Sequence, residues 1–198
     1  MSVIASDDFN RANGALGSNW TAINNAIAIV SNEAKADLDP EISYWNAVAA
    51  PDDCESGVVL GSIVVSVAEN GGGCMIRQDE GANTSYFSLG NGETVELWIV
   101  EAGSYTQLDT AANPCATGDT IATRGVGTTI TSRKNGSTVN SVTDATLTSG
   151  RAGLWMADQG TEEPTVTSWY LDDLAVAGGD AFVLKREYLS MKPLTGIY

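Results

Sequence analysis

Apolar and polar residues alternate in short runs along this chain, with Gly, Asn, Asp and Ser clusters between the runs and almost no helical periodicity. The pattern predicts strands over residues 26–30, 43–49, 57–67, 73–78, 84–90, 94–101, 104–108, 119–124, 127–133, 137–143, 152–157 and 166–176. A strand sends alternate side chains to opposite faces, so runs of this kind at this spacing predict an all-β fold of two packed antiparallel sheets, a β-sandwich or jelly roll. Between "TITSRK" and "STVNSV", Asn135-Gly136 supplies two residues tolerant of positive φ, which a tight type I′ hairpin turn requires. Gly103 in "EAGSYT" marks a second turn.

The alternation stops at "AGGD", residues 177–180, which divides a jelly-roll domain over 1–179 from a C-terminal arm or anchoring segment over 180–198. The arm carries Phe182, Leu184, Tyr188, Leu189, Met191, Leu194, Ile197 and Tyr198 after the sandwich is already closed. Exposed apolar groups in that number imply a partner, and Phe182, Leu184, Tyr188, Leu189, Met191 and Tyr198 are the candidate partner-binding residues. Either the segment lies across a neighbouring subunit, giving self-association, or it folds back over its own sheet as one more strand.

Charge narrows the partners. The 198 residues carry a net charge of −15 and no histidine. Residues 1–179 account for 7 − 23 = −16 and the arm for 3 − 2 = +1. Such a body repels a nucleic-acid backbone. No uncharged apolar run of about 18 residues predicts a membrane span, and "MSVIASDDFN" has neither the basic nor the apolar region of a secretion signal, so synthesis in a host cytoplasm without a signal peptide is expected. Without histidine the usual base for a Ser or Cys nucleophile is missing, and so are the usual ligands of catalytic zinc. Phosphate-binding and dinucleotide-binding glycine motifs are absent too, so no enzymatic activity is expected. Cys54, Cys74 and Cys115 lack C-x-x-C spacing and read as small buried thiols, or as one disulfide plus a free thiol.

Four segments in order, "DDFNRANGALGSNW", "ELWIVEAGSYTQL", "GDTIATRGVGTTITSRKNGSTVNSVTDATLTSGRAGLW" and "WYLDDLAV", resemble the laminin-G-like or concanavalin-like jelly-roll domains of bacterial secreted proteins and bacteriophage virion proteins. The resemblance covers roughly residues 6–177 and implies a fold that hosts lectins, glycosidases, adhesion modules and structural virion parts. It implies that Leu16 and Trp20 cap the sandwich and that "SGRAGLW" and "WYLDDLAV" close it beside the N-terminal strand. That closure would draw Asp7 and Asp8 towards Asp172 and Asp173, and a calcium ion would relieve their repulsion. Strand alternation offers the competing reading, in which one of each pair points to solvent, and no cofactor is expected.

Glu96-Leu-Trp-Ile-Val-Glu101 resembles the E-x-D-x-x-E strand motif of bacterial β-glucanases at both ends. Residues five apart on a regular strand face opposite sides, however, and Trp98 has no ionisable group to replace the central Asp. Val95, Leu97 and Ile99 are expected to face the core, with Glu96 on the other, wetter face beside Trp98. Exposed aromatics on a sheet face would instead stack on sugar rings, and Trp45, Tyr86 and Trp98 are the candidate glycan-binding residues.

These readings lead first to a non-enzymatic structural protein of a bacteriophage particle, a capsid decoration protein that contacts other virion proteins through its C-terminal segment and a sheet edge. The alternative is a lectin-like carbohydrate-binding module, with a divergent glucanase third.

Overall fold

The computed structural model describes residues 2–63, 71–158 and 163–174, in which there are sixteen strands and no helix. Nine form one antiparallel sheet: β1 (Ser2–Asp7), β2 (Gly14–Ala15), β4 (Ala28–Val30), β5 (Glu33–Lys35), β7 (Cys54–Leu60), β12 (Thr120–Val126), β13 (Thr129–Lys134), β14 (Ser137–Thr143) and β16 (Thr165–Asp173). Their order is β14-β13-β12-β7-β16-β5-β4-β2, with β1 also paired to β16. The other seven are β3 (Trp20–Asn24), β6 (Glu41–Trp45), β8 (Gly71–Gln78), β9 (Ser85–Gly90), β10 (Val95–Glu101), β11 (Ser104–Ala111) and β15 (Arg151–Ala157), in the order β11-β10-β9-β8-β15-β6-β3.

The core lies between the sheets. Cys74 and Ile76 of β8 and Val95, Leu97 and Ile99 of β10 meet Val58, Leu60, Ile121, Ile130 and Leu171 from the nine-stranded sheet. Burial of each large aliphatic side chain contributes roughly 1.5–3 kcal/mol. Leu16 and Trp20 are buried in the same core. Trp20 packs edge-on against Trp169 at 4.9 Å and Trp45 at 5.2 Å. Its indole N–H donates to Asp7 Oδ2 at 2.8 Å, while Arg11 forks onto the same carboxylate at 2.6 and 2.8 Å. All three cysteines are buried free thiols.

Both turns read from glycine form, each with two consecutive residues at positive φ. Asn135 (φ 50°) and Gly136 (φ 80°) join Lys134 to its ladder partner Ser137, and Ala102 (φ 49°) and Gly103 (φ 84°) join Glu101 to Ser104 in the same way.

The sandwich departs from the sequence reading in three places. β1, β2, β3 and β5 are strands where none was predicted, because short edge and near-edge strands lack the clean alternation of a half-buried one. β16 does pair with β1, but "SGRAGLW" forms β15 in the middle of the other sheet, between β8 and β6. The antiparallel register also sets Asp7 opposite Trp169 and Asp172 opposite Val3. Asp7 and Asp172 therefore stand near opposite ends of one ladder, so the register does not bring together the four carboxylates weighed for calcium.

Candidate functional site

An antiparallel sheet packed on one side usually wets the other. The outer face of the seven-stranded sheet instead carries a second apolar cluster, with Ile42, Tyr44, Met75, Phe87, Leu89, Trp98, Val100, Trp155 and Ala157 buried in it. Strand parity builds it: on β10 the odd positions enter the inter-sheet core and the even ones, Glu96, Trp98 and Val100, point outward.

Trp98 and Phe87 are direct cross-strand partners, and their rings lie 6.2 Å apart at 4°. Trp155 stands two strands from Phe87, across β8, yet the two rings stack at 4.0 Å and 7°. The strand between them has Gly73 opposite both Trp155 and Leu89, so no side chain rises there to hold the rings apart. Tyr105 of β11 closes one side edge-on, 6.2 Å from Phe87 and 6.0 Å from Trp155. Its hydroxyl accepts a hydrogen bond from Asn83 Nδ2 at 2.7 Å. These four rings, Leu89, and Asp39 and Pro40 from the segment before β6 line a cleft of ≈ 240 Å³. Tyr105 is 41% exposed and Leu38, beside Asp39, is 52% exposed, so the mouth of the cleft is itself apolar.

Glu96 is 1% exposed, so its surroundings are dry rather than wet. Its carboxylate accepts from Trp98 Nε1–H at 2.8 Å and from the Thr94 hydroxyl at 2.9 Å. The aromatic cover over this face, which strand parity alone does not reveal, explains the difference. Glu96 fixes the Trp98 ring from behind. Glu101 is exposed at the far end of β10. The one irregularity here skips Leu108 on β11, and β10 keeps an unbroken register with β9. No bulge in β10 brings Glu101 round to Glu96, and at ~3.4 Å per residue five positions separate them by roughly 17 Å. Paired glycosidase carboxylates stand about 5–9.5 Å apart.

Of the three aromatic residues singled out in the sequence, Trp98 alone borders the cleft. Trp45 packs into the inter-sheet core against Trp20 and Trp169. Tyr86 is fully buried there, its hydroxyl donating to Asp144 Oδ1 at 2.7 Å and accepting from the Leu147 N–H at 3.2 Å. Burial pushes that phenol up to about 12. Phe87, Tyr105 and Trp155 were not singled out. "TSYFSLG" is apolar on both parities, so nothing in it shows that Phe87 rather than Tyr86 turns outward.

Phe182, Leu184, Tyr188, Leu189, Met191 and Tyr198 lie outside the described residues. Among the described residues no group of three or more His, Cys, Asp or Glu side chains is placed to hold a metal ion. Asp7 is pushed up by burial, but Arg11, Trp20 and the Phe9 N–H together outweigh that and hold it below the usual carboxylate value. It is committed to structure.

No protein-family model matches the chain, and no curated protein matches it. Solved structures do. The chain is similar to the carbohydrate-binding module CBM66 from Bacillus subtilis, with a TM-score of 0.59 and 16% identity over 75% of this chain and 91% of that one. The exoplasmic/lumenal domain of VIP36 in its Ca2+/Man3GlcNAc-bound form gives 0.57 and 11%, over 81% and 86% of the two chains. Apo Crh5 transglycosylase gives 0.53 and 15%, over 86% and 84%. At these identities the likeness establishes the fold, a concanavalin-like jelly-roll sandwich.

Proposed function

We propose that this chain is a carbohydrate-binding module that seats one sugar ring in the aromatic cleft on its seven-stranded sheet and does not cleave it. The observation that carries the reading is the set of near-parallel rings Trp98, Phe87 and Trp155, with Tyr105 standing edge-on, around a cleft on a face that ordinarily meets water. Aromatic faces stack on the C–H faces of sugars, and the amphipathic Tyr105 offers a ring and a hydroxyl at the mouth. A cleft of ≈ 240 Å³ lies below the ~300–1,000 Å³ of sites that enclose drug-sized ligands, which suits one ring rather than a long chain. The similar structures support the reading, since CBM66 is a carbohydrate-binding module and the VIP36 domain holds Man3GlcNAc.

Binding without cleavage is supported by the separation of Glu96 and Glu101. Glu96→Gln should leave sugar affinity within about twofold, and slow hydrolysis that disappears in this variant would overturn the non-catalytic reading. Although VIP36 structures hold Ca2+ together with sugar, the separated carboxylates of this chain favour a calcium-independent site. The main test is calorimetric titration with neutral oligosaccharides. Tyr105→Ala removes a partly exposed ring and is expected to weaken binding about tenfold, roughly 1.4 kcal/mol, in a variant that still folds and with no effect of EDTA. Trp98→Ala should abolish binding. Full affinity in both folded variants would sink the proposal.

The capsid-decoration reading remains a second, separate proposal, motivated by the virion resemblance and by the surplus apolar residues of 180–198. Density-gradient sedimentation of the protein from its native source tests it. Travel with a megadalton particle supports it, and a free, small species overturns it.

A further inference from the structure

We propose that the cleft selects an uncharged sugar ring and rejects uronates, sialic acids and sulfated or phosphorylated glycans. The inference rests on the carbohydrate-binding reading of the same cleft and adds the chemical class of the ligand.

The argument comes from where the positive charges are. Ten Lys and Arg stand against twenty-five Asp and Glu, and seven of the ten lie in described residues. Six of those seven are held by carboxylates. Arg11 is on Asp7 at 2.6 Å, Lys35 on Glu163 at 2.6 Å, Lys134 on Asp119 at 3.2 Å and Arg151 on Glu80 at 2.7 Å. Arg133 and Arg124 both face Glu55, at 2.6 and 3.9 Å, on the nine-stranded sheet. The seventh, Arg77, is 3% exposed and donates to the backbone carbonyls of Leu147, Asp52 and Gly127. None of the seven lines the cleft. Lys185, Arg186 and Lys192 fall outside the described residues.

What lines the cleft carries no positive charge: its polar groups are the Asp39 carboxylate, the Tyr105 hydroxyl and indole N–H groups, of which Trp155 Nε1 has no hydrogen-bond partner among the described residues and offers one neutral donor. Asp39 is part of its wall, and the Glu96 carboxylate sits directly behind Trp98. Aromatic faces carry the negative end of the ring quadrupole, so they attract C–H groups and cations and repel anions. Recognition of a carboxylate, sulfate or phosphate needs a guanidinium fork, an ammonium or converging N–H donors, and no described Lys or Arg lines this wall. An anionic sugar entering here would lose its hydration with no counter-charge in return. A neutral ring meets neither penalty.

The experiment is a titration of the 198-residue chain against glycans matched except for charge, polygalacturonate with its carboxyl-reduced form and hyaluronan oligomers with their carboxyl-reduced form. It is run at about 0.1 M and about 1 M NaCl, so that screening removes the long-range field of the acidic body. The expected result is a neutral member at least about tenfold tighter at both salts. An anionic member as tight as its neutral match at either salt overturns the inference and leaves the carbohydrate reading standing. Absence of binding to every saccharide overturns both together. Asp39→Lys, which puts a cation on the cleft wall, is expected to narrow the preference several-fold, and an unchanged preference in the folded variant overturns its assignment to the cleft.

Discussion

Two residues apart on β10, Glu96 and Trp98 share one face, and that spacing makes the carboxylate an anchor for the ring. Glu96→Ala leaves the Trp98 N–H dry and without its acceptor, so it should lower stability by about 1–3 kcal/mol in denaturant titration and blunt sugar binding with it. Asp172 shows the opposite economy. It is paired across the ladder with Glu55, and its Oδ1 has no hydrogen-bond partner among the described residues. Burial first, and the Glu55 charge second, push its carboxyl above the ordinary 3.8. A raised carboxyl pKa means folding disfavours the ionised form, so the cost is present above the folded pKa and gone below the unfolded one. Asp172→Asn should therefore stabilise the fold at pH 7 by about 0.5–1 kcal/mol, and the gain should vanish as pH falls through the folded pKa towards 3.8. Thermal melts at stepped pH would show it, and a gain that persists at acid pH would contradict the cause.

At the scale of elements, β8 matters for what it leaves out. Gly73 lies beside Leu89 of β9 and Trp155 of β15, and a Cβ there would meet the Ser88 carbonyl oxygen at 2.0 Å. Because that oxygen belongs to the backbone ladder, Gly73→Ala must shift β9 against β8. We expect a loss of about 1–3 kcal/mol, the ordinary cost of overpacking, together with loss of sugar binding, read by melting and titration of one sample. Strand existence was legible along most of the chain because β7 to β16 alternate or end in recognisable turns. The hairpin at Asn135-Gly136 was legible for a sharper reason, since both residues tolerate the positive φ they adopt. The cleft was legible only through Trp98. In the doublets Tyr44-Trp45 and Tyr86-Phe87, neighbouring aromatics face opposite sides, and both sides are apolar. Alternation says that they differ without saying which is which.

For the whole molecule, the last strand among the described residues is β16, which ends at Asp173 inside the nine-stranded sheet. A chain ending at residue 179 is expected to melt as the 198-residue chain does and to keep its sugar affinity. A truncated chain that fails to fold would show that residues 180–198 belong to the domain. The two-sheet class, the two glycine turns and the acidic, histidine-free chemistry follow from the order of residues alone, because each rests on local geometry or on simple charge. The partners of β15, the ends of the β1–β16 ladder at which the aspartates stand, and the rings that gather over Gly73 follow from register and packing between residues far apart in the chain. Local pattern fixes that a strand has two faces, while its neighbours fix which face is covered.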